Sequence, residues 1–126
     1  MQSSSFIALV ALLLIQSQVA YSTFLCNDQS KIKSTVGYCM RKINTSDYIY
    51  KELRVWKKLG VEMIVMEANK AAPDLSGYTC PDTFLIVNRP VERRVCCQLP
   101  KSRATDGILM GYTETQIFQN CYARGT

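Results

Sequence analysis

Cysteine is the residue type in this chain whose number and spacing permit covalent chemistry. Six cysteines are present and histidine is absent. They are Cys26, Cys39, Cys80, Cys96, Cys97 and Cys121. An even number of cysteines without a Cys-x2-Cys pair is typical of a disulfide framework rather than a zinc site. The sequence therefore predicts three disulfide bonds and no bound metal.

The spacing of the cysteines narrows their pairing without fixing it. Cys96 and Cys97 are neighbours, so we expect them not to bond each other. Cys26 and Cys39 fall near the two ends of a predicted helix, where their Cα atoms would be about 20 Å apart. That separation is beyond disulfide reach, and the remaining connectivities stay open.

The absence of histidine excludes several classes of secreted enzyme. It removes the Ser-His-Asp and Cys-His relays, histidine-based ribonuclease or phospholipase pairs, and the usual histidine-containing zinc sites. A glycosidase needs two acids held roughly 5 to 10 Å apart, and the ten acidic residues are not clustered in the sequence. We expect a protein that is not an enzyme and that uses no cofactor.

The first residues have the pattern of a secretory signal peptide. A polar start precedes ten apolar residues at 6–15, a polar break at 16–18, and the small residues Ala20 and Ser22. Ten apolar residues are too few to cross a membrane, which needs roughly 20 in a helix. We predict a signal peptide at 1–22 and a single disulfide-stabilised domain at 23–126 that is secreted into the extracellular space.

The charge of the chain is basic, at +5, and none of it lies in the predicted signal peptide. A basic balance favours acidic partners. We expect an extracellular protein or receptor, or an acidic glycan. Lysine and arginine form no run longer than two, so nucleic acid is not expected. No stretch after the leader is long and apolar enough to predict a transmembrane segment.

Two helices are predicted in the first half of the secreted chain. Residues 27–43 show apolar side chains at steps of three and four, which is typical of a helix with one buried face. A second helix is predicted over 47–59, with Ser46 as its cap and Gly60 just past its end. In this helix Ile49, Leu53 and Trp56 are expected to face inward.

Short strands are predicted in the second half. They are 61–66, then 83–87 and 91–99 joined as a hairpin through 88–90, with a loop over 69–82 and another over 100–107. Alternation along 91–99 directs Cys97 into the core and Cys96 towards a peripheral element.

A capping box at Thr113 and Gln116 predicts a short terminal helix. The expected fold class is α+β: a small disulfide-rich domain with two N-terminal helices on a short, mainly antiparallel sheet and a short C-terminal helix.

One modification site and two groups of binding residues follow from this pattern. The sequence Asn44-Thr45-Ser46 is an acceptor for an N-linked glycan on Asn44. Tyrosine and arginine contribute much of the energy of protein interfaces. The candidate contacts on the second helix and near the hairpin are Tyr50, Arg54, Lys57, Arg89, Arg93 and Arg94. We therefore expect a secreted interaction protein, that is, a ligand, effector or modulator.

Two alternatives stay open. A protease inhibitor or toxin-like blocker would present Lys101 or Arg103 from the loop at 100–107. A hormone-like precursor would be cleaved at the dibasic pairs at 57–58 and 93–94. The adjacent pair Cys96-Cys97 makes this second plan resemble insulin-like precursors, although Cys80 would then fall within the excised segment.

Overall fold

The computed structural model describes residues 23–71, 77–81 and 83–124. The predicted signal peptide at 1–22 lies outside these residues. Within them, no helix combines the length and the apolar character that a membrane crossing requires.

The described chain is built mainly from short strands. In chain order these are β1 (Thr23–Phe24), β2 (Val36–Lys42), β3 (Met63–Glu67), β4 (Asn69–Lys70), β5 (Tyr78–Thr79), β6 (Leu85–Ile86), β7 (Arg89–Pro90), β8 (Arg93–Cys97), β9 (Ala104–Asp106), β10 (Leu109–Tyr112) and β11 (Cys121–Ala123). The α-helices are α1 (Lys51–Lys58) and α2 (Glu114–Asn120), and 3-10 turns occupy Gln29–Lys31 and Thr45–Ile49.

A six-stranded antiparallel sheet is the centre of the domain. Its strand order is β11-β8-β2-β3-β10-β9, and every neighbouring pair is antiparallel. A three-stranded sheet of order β1-β5-β4 and a separate hairpin of β6 and β7 complete the strand pairing of the described residues.

Both faces of the central sheet are buried, and each face is covered by one helix. On one face, Leu53 and Trp56 of α1 belong to the same core cluster as Ile64 of β3. On the other face, Ile117 of α2 packs with Val65 of β3. Alternate residues of each strand therefore serve two different cores, and apolar side chains occur on both sides of the strands.

The predicted helix over 27–43 is wrong. Its second half is the strand β2, which pairs with both β3 and β8. The apolar steps of three and four arise because both faces of β2 are buried, so Cys39 and Met40 are both fully inaccessible to solvent. Ile32, expected on the buried stripe, is 72% exposed. The α+β class with two N-terminal helices on a sheet is thereby corrected to a mostly β-sheet domain.

The second predicted helix is close to what the structure contains. The chain forms a 3-10 turn at Thr45–Ile49 and then α1. The predicted cap Ser46 lies inside the 3-10 turn, which Asn44 caps, and α1 follows Tyr50 without a side-chain cap. Leu53 and Trp56 are buried as predicted. Ile49 is not, because it lies in the 3-10 turn before α1 and is 76% exposed.

The strands of the second half are partly as predicted. The strand predicted at 61–66 is β3, which starts two residues later and ends one residue later. The capping box of Thr113 and Gln116 begins α2. The expected hairpin of 83–87 with 91–99 is wrong, since β6 instead pairs with β7 and β8 joins the central sheet. The expected loops at 69–82 and 100–107 contain the short strands β4, β5 and β9 among their described residues.

All six cysteines form disulfides, which confirms the prediction. The pairs are Cys26–Cys96, Cys39–Cys80 and Cys97–Cys121. Cys96 and Cys97 belong to the cores on opposite faces of the sheet. Both are buried. Cys96 bonds Cys26, in the N-terminal segment after β1, whereas the expectation that Cys97 bonds into the core is wrong. The partner of Cys97 lies directly opposite it in the edge strand β11.

Candidate functional site

Residues from both groups predicted to bind a partner meet on one surface. Tyr50 precedes α1 and Arg54 follows one turn later, where its backbone N–H donates to the Tyr50 carbonyl at 3.2 Å. The Asn88 amide in the β6–β7 turn donates to the Tyr50 hydroxyl at 2.9 Å. We call the surface formed by Ile49, Tyr50, Arg54, Asn88 and Arg89 the hairpin–helix surface.

The turn that carries Asn88 has an uncommon backbone. Val87 and Asn88 both take left-handed conformations, with φ of 48° and 63°. A two-residue hairpin of type I′ needs positive φ at both central positions. Asparagine tolerates this conformation, but a β-branched valine does not adopt it readily. Strain of this kind costs about 1–3 kcal/mol and persists only where neighbouring groups hold the backbone in place.

Arg41 is the group that holds this turn. Its side chain is 1% exposed. Its Nε donates to the Ile86 carbonyl at 2.7 Å, and its Nη2 donates to the Val87 carbonyl at 3.3 Å. A guanidinium directs its donors in a fixed plane. The turn is therefore fixed against β2, the strand from which Arg41 projects.

Asp47 neutralises the buried guanidinium. Its carboxylate, which is 2% exposed, accepts two hydrogen bonds from Arg41 at 2.7 and 2.9 Å. It also accepts the backbone N–H of Asn44 at 2.7 Å. Burial by itself raises the pKa of Asp47, but the hydrogen bonds from Arg41 and Asn44 outweigh it and leave the pKa below its ordinary value. The Asp47 carboxylate is consequently ionised at neutral pH.

Arg89 connects the hairpin to the same 3-10 turn. It donates to the Ser46 hydroxyl, and its Nε lies 3.7 Å from the Asp47 carboxylate. Its side chain remains 44% exposed. Tyr50 and Arg89 thus each have an internal partner that fixes their position while part of the side chain faces solvent. Side chains ordered in advance lose less entropy on binding.

The hairpin–helix surface encloses a shallow hollow of about 380 Å³. Its lining consists of Ser46, Asp47, Ile49, Tyr50, Val87, Asn88, Arg89 and Pro90. An exposed aliphatic side chain, a tyrosine ring, an amide and a guanidinium are therefore within one concave area. This combination offers apolar contact and hydrogen-bond donors, which suits recognition of a partner.

Lys57 continues the cationic stripe of α1 beyond the hollow. Tyr50, Arg54 and Lys57 are spaced at four and three residues, so they share one side of the helix. The Lys57 ammonium stands 4.8 Å from the centre of the Tyr48 ring. Arg54 and Lys57 are both exposed, which makes the stripe accessible to an acidic group.

Arg93 and Arg94 do not line the hollow. Arg93 lies at the start of β8, with its Nη2 3.4 Å from the Glu114 carboxylate of α2. Arg94 is half-buried and donates to the Cys80 carbonyl at 2.7 Å. Arg94 thus supports the chain around a disulfide, and the candidate site includes neither residue.

Asn44 lines a neighbouring hollow that shares Arg89 with the candidate site but does not include Tyr50. Its side-chain oxygen accepts the Ser46 backbone N–H at 3.1 Å and caps the 3-10 turn. The side chain is exposed, and an N-linked glycan attaches through the amide nitrogen. A glycan at this position would leave the capping oxygen in place.

The sequence does not reveal the contributions of Arg41 and Asp47 to the site. Asn88 is predicted as a turn residue, because an asparagine between two apolar runs is a turn signal, but its contact with Tyr50 is not. A charged residue inside a strand, such as Arg41, gives no comparable signal. Its acceptors in the hairpin of β6 and β7 lie beside it only in the folded protein.

Searches of protein-family models, curated proteins and solved structures found no significant match to this chain.

Proposed function

We propose that this is a secreted, non-enzymatic binding protein that recognises an acidic extracellular protein or receptor through the hairpin–helix surface. One observation carries the proposal. Tyr50 and Arg89 are far apart in the sequence, yet both are held on one surface by the hairpin tip and the buried Arg41–Asp47 pair.

The residue types of this surface support a protein partner. Tyrosine and arginine are enriched among the residues that dominate interface energies. Ile49 places a 76% exposed aliphatic side chain beside them, and such a side chain gains from contact with apolar protein surface. An acidic glycan would satisfy the cations without covering Ile49, so an acidic protein is the preferred partner.

The remaining parts of the proposal come from the sequence and the disulfides. The leader at 1–22 and three disulfide bonds support secretion into an oxidising compartment. A chain without histidine lacks the commonest general base of secreted hydrolases. The absence of histidine favours recognition over turnover.

Binding measurements with surface variants test the proposal. The oxidised protein without residues 1–22 is used as bait for extracellular proteins, and the affinity of each captured partner is measured. Tyr50→Ala and Arg89→Ala should each weaken binding by about 30-fold, which corresponds to a hot-spot loss of about 2 kcal/mol. Arg54→Ala should weaken it less, because no contact in the described chain orders its side chain.

Arg103→Ala is the matched control, since Arg103 is an exposed arginine outside the hollow. It should leave the affinity unchanged. Equal affinities for the wild type, Tyr50→Ala and Arg89→Ala would remove the hairpin–helix surface as the binding site.

A protease inhibitor is the second candidate, and one observation favours it. The Ser102 hydroxyl is 2.7 Å from the Gly111 carbonyl and 2.8 Å from the Ala104 carbonyl. Lys101 and Arg103, both exposed, therefore flank a fixed residue. A trypsin assay with the oxidised protein decides this candidate, and no inhibition at micromolar concentration would exclude it.

The precursor alternative is not proposed. The dibasic pair at 93–94 begins β8, which is hydrogen-bonded between β2 and β11. A processing protease would have to separate this end of β8 from β2, with which Arg93 and Arg94 are paired, before cleaving it.

A further inference from the structure

A second exposed apolar group lies between the 3-10 turn Gln29–Lys31 and the end of α2. Phe118 is 88% exposed and Ile32 is 72% exposed. Both line a shallow groove of about 320 Å³ that Lys31 and Lys33 also line. We call Lys31, Ile32, Lys33 and Phe118 the Phe118 patch.

The patch is fixed to the domain from both sides. The Ser34 hydroxyl donates to the Asn120 carbonyl at 3.3 Å, which joins the segment after Ile32 to the end of α2. Cys121 follows α2 directly and is bonded to Cys97. The two apolar side chains are therefore exposed on ordered backbone and are not part of a freely moving tail.

The described residues around the patch are mainly basic. Those that line the groove include two lysines and no aspartate or glutamate. Asp28, just before the 3-10 turn, accepts hydrogen bonds from the backbone N–H and the hydroxyl of Ser30, and its negative charge partly offsets that of Lys31. Glu114, at the opposite end of α2, is 3.4 Å from Arg93. The patch therefore presents net positive charge next to protruding apolar side chains.

We propose that the Phe118 patch binds an anionic lipid surface, with Phe118 and Ile32 entering the interface and Lys31 and Lys33 contacting lipid phosphates. Clustered lysines beside an apolar group are attracted to anionic leaflets, and the apolar group gains from partial burial. This activity is separate from the proposed function, because the patch shares no residue with the hairpin–helix surface.

The shape of the patch favours a bilayer over an acidic peptide. A peptide-binding groove holds apolar side chains in its walls, where they are partly covered. Phe118 and Ile32 are instead 88% and 72% exposed, although they line a shallow groove. A bilayer interface accepts projecting side chains without a complementary cavity, whereas a folded or extended peptide needs a matching pocket for each of them.

Vesicle sedimentation tests the proposal. The oxidised protein without residues 1–22 should bind phosphatidylcholine vesicles that contain roughly 30% phosphatidylserine, and should bind pure phosphatidylcholine only weakly. Raising the salt from about 0.05 to about 0.5 M should reduce binding, because salt screens the lysines. Binding that is equal on both vesicle types would overturn the proposal.

Four variants test whether vesicle binding depends on the Phe118 patch or on exposed side chains elsewhere. Lys31→Ala with Lys33→Ala should weaken binding about 25-fold, at about 5-fold for each lysine. Phe118→Ser should weaken it about 10-fold. Ile108→Ser is the control for Phe118, because Ile108 is 73% exposed elsewhere. Lys101→Ala with Arg103→Ala is the control for the lysine pair.

Both controls should bind vesicles as the wild type does. Loss of binding in a control to the same extent as in the patch variants would refute a specific patch. So would binding to soluble glycerophosphoserine or to an acidic peptide that is tighter than binding to the vesicles. Because all the substituted side chains are exposed, each variant is expected to unfold at the urea concentration of the wild type.

Discussion

Replacing Asp47 with asparagine removes the charge that compensates the buried Arg41 side chain while keeping the size of Asp47. The two side chains are only 1% and 2% exposed. Deleting one partner of a buried ion pair costs about 3–5 kcal/mol, because the other charge is left in a region of low dielectric. Asparagine retains one oxygen acceptor, so we expect Asp47→Asn to lose about 3 kcal/mol.

That loss is large compared with the total stability of a small domain, which is about 5–15 kcal/mol. Urea unfolding measures it directly. With a slope of about 1–3 kcal/mol per molar urea, the midpoint should fall by about 1–3 M. The fluorescence of Trp56, the single tryptophan and 4% exposed, reports the transition.

Glu114→Gln is the control for this substitution. It breaks the Arg93–Glu114 contact, whose side chains are 50% and 42% exposed. An exposed ion pair contributes about 0.2–1 kcal/mol, so the midpoint should move little. If Asp47→Asn destabilises the protein no more than Glu114→Gln does, the buried pair does not hold the hairpin as argued.

The same substitution predicts a change in pH dependence. The pKa of Asp47 in the folded protein is below its unfolded value of about 3.9. A carboxylate with a lowered pKa stabilises the fold fully above the unfolded pKa and loses this effect as the pH falls through the folded pKa. The difference in unfolding free energy between the wild type and Asp47→Asn should therefore be constant near neutral pH and shrink below about pH 4. A difference that stays constant down to pH 2 would contradict the assignment.

Three further outcomes are expected. A Cβ at Gly37 would lie 2.4 Å from the Tyr78 ring, so Gly37→Ala should cost about 1–3 kcal/mol in urea unfolding; an unchanged midpoint would contradict the packing. Tryptic digestion without reduction should yield Cys39 and Cys80 in one linked pair of peptides, with the other four cysteines in a separate species; any other linkage found by mass spectrometry would contradict the pairing. Protein secreted from eukaryotic cells should lose mass on treatment with an N-glycosidase, and Asn44→Gln should not.

Local sequence patterns predicted the structure correctly where the residues that bond each other lie within one turn of the chain. The Thr113 and Gln116 capping box is an example, because its two hydrogen bonds involve only residues of that turn. The strand β2 shows the opposite case. A strand that is buried on both faces loses the alternation that identifies strands. The steps of three and four at Val36, Cys39 and Met40 then resembled a helix.

The candidate site was predictable residue by residue but not as an arrangement. Tyr50 and Arg89 are residue types that bind partners, and the sequence indicates this for each of them separately. Their meeting depends on the hairpin of β6 and β7 folding against the 3-10 turn. That contact spans 38 residues between Tyr50 and Asn88, and no local pattern encodes it.

In the buried Arg41–Asp47 pair, the folding of the hairpin and the proposed binding both depend on the Arg41 side chain. Apolar residues in place of a buried ion pair are often as stabilising or more so. An apolar residue at position 41 would leave the carbonyls of Ile86 and Val87 without the donors that Arg41 provides. A hairpin with two residues in each strand is not stable alone. Arg41 therefore fixes the position of the β6–β7 turn. The position of the turn sets the positions of Asn88 and Arg89 relative to Tyr50.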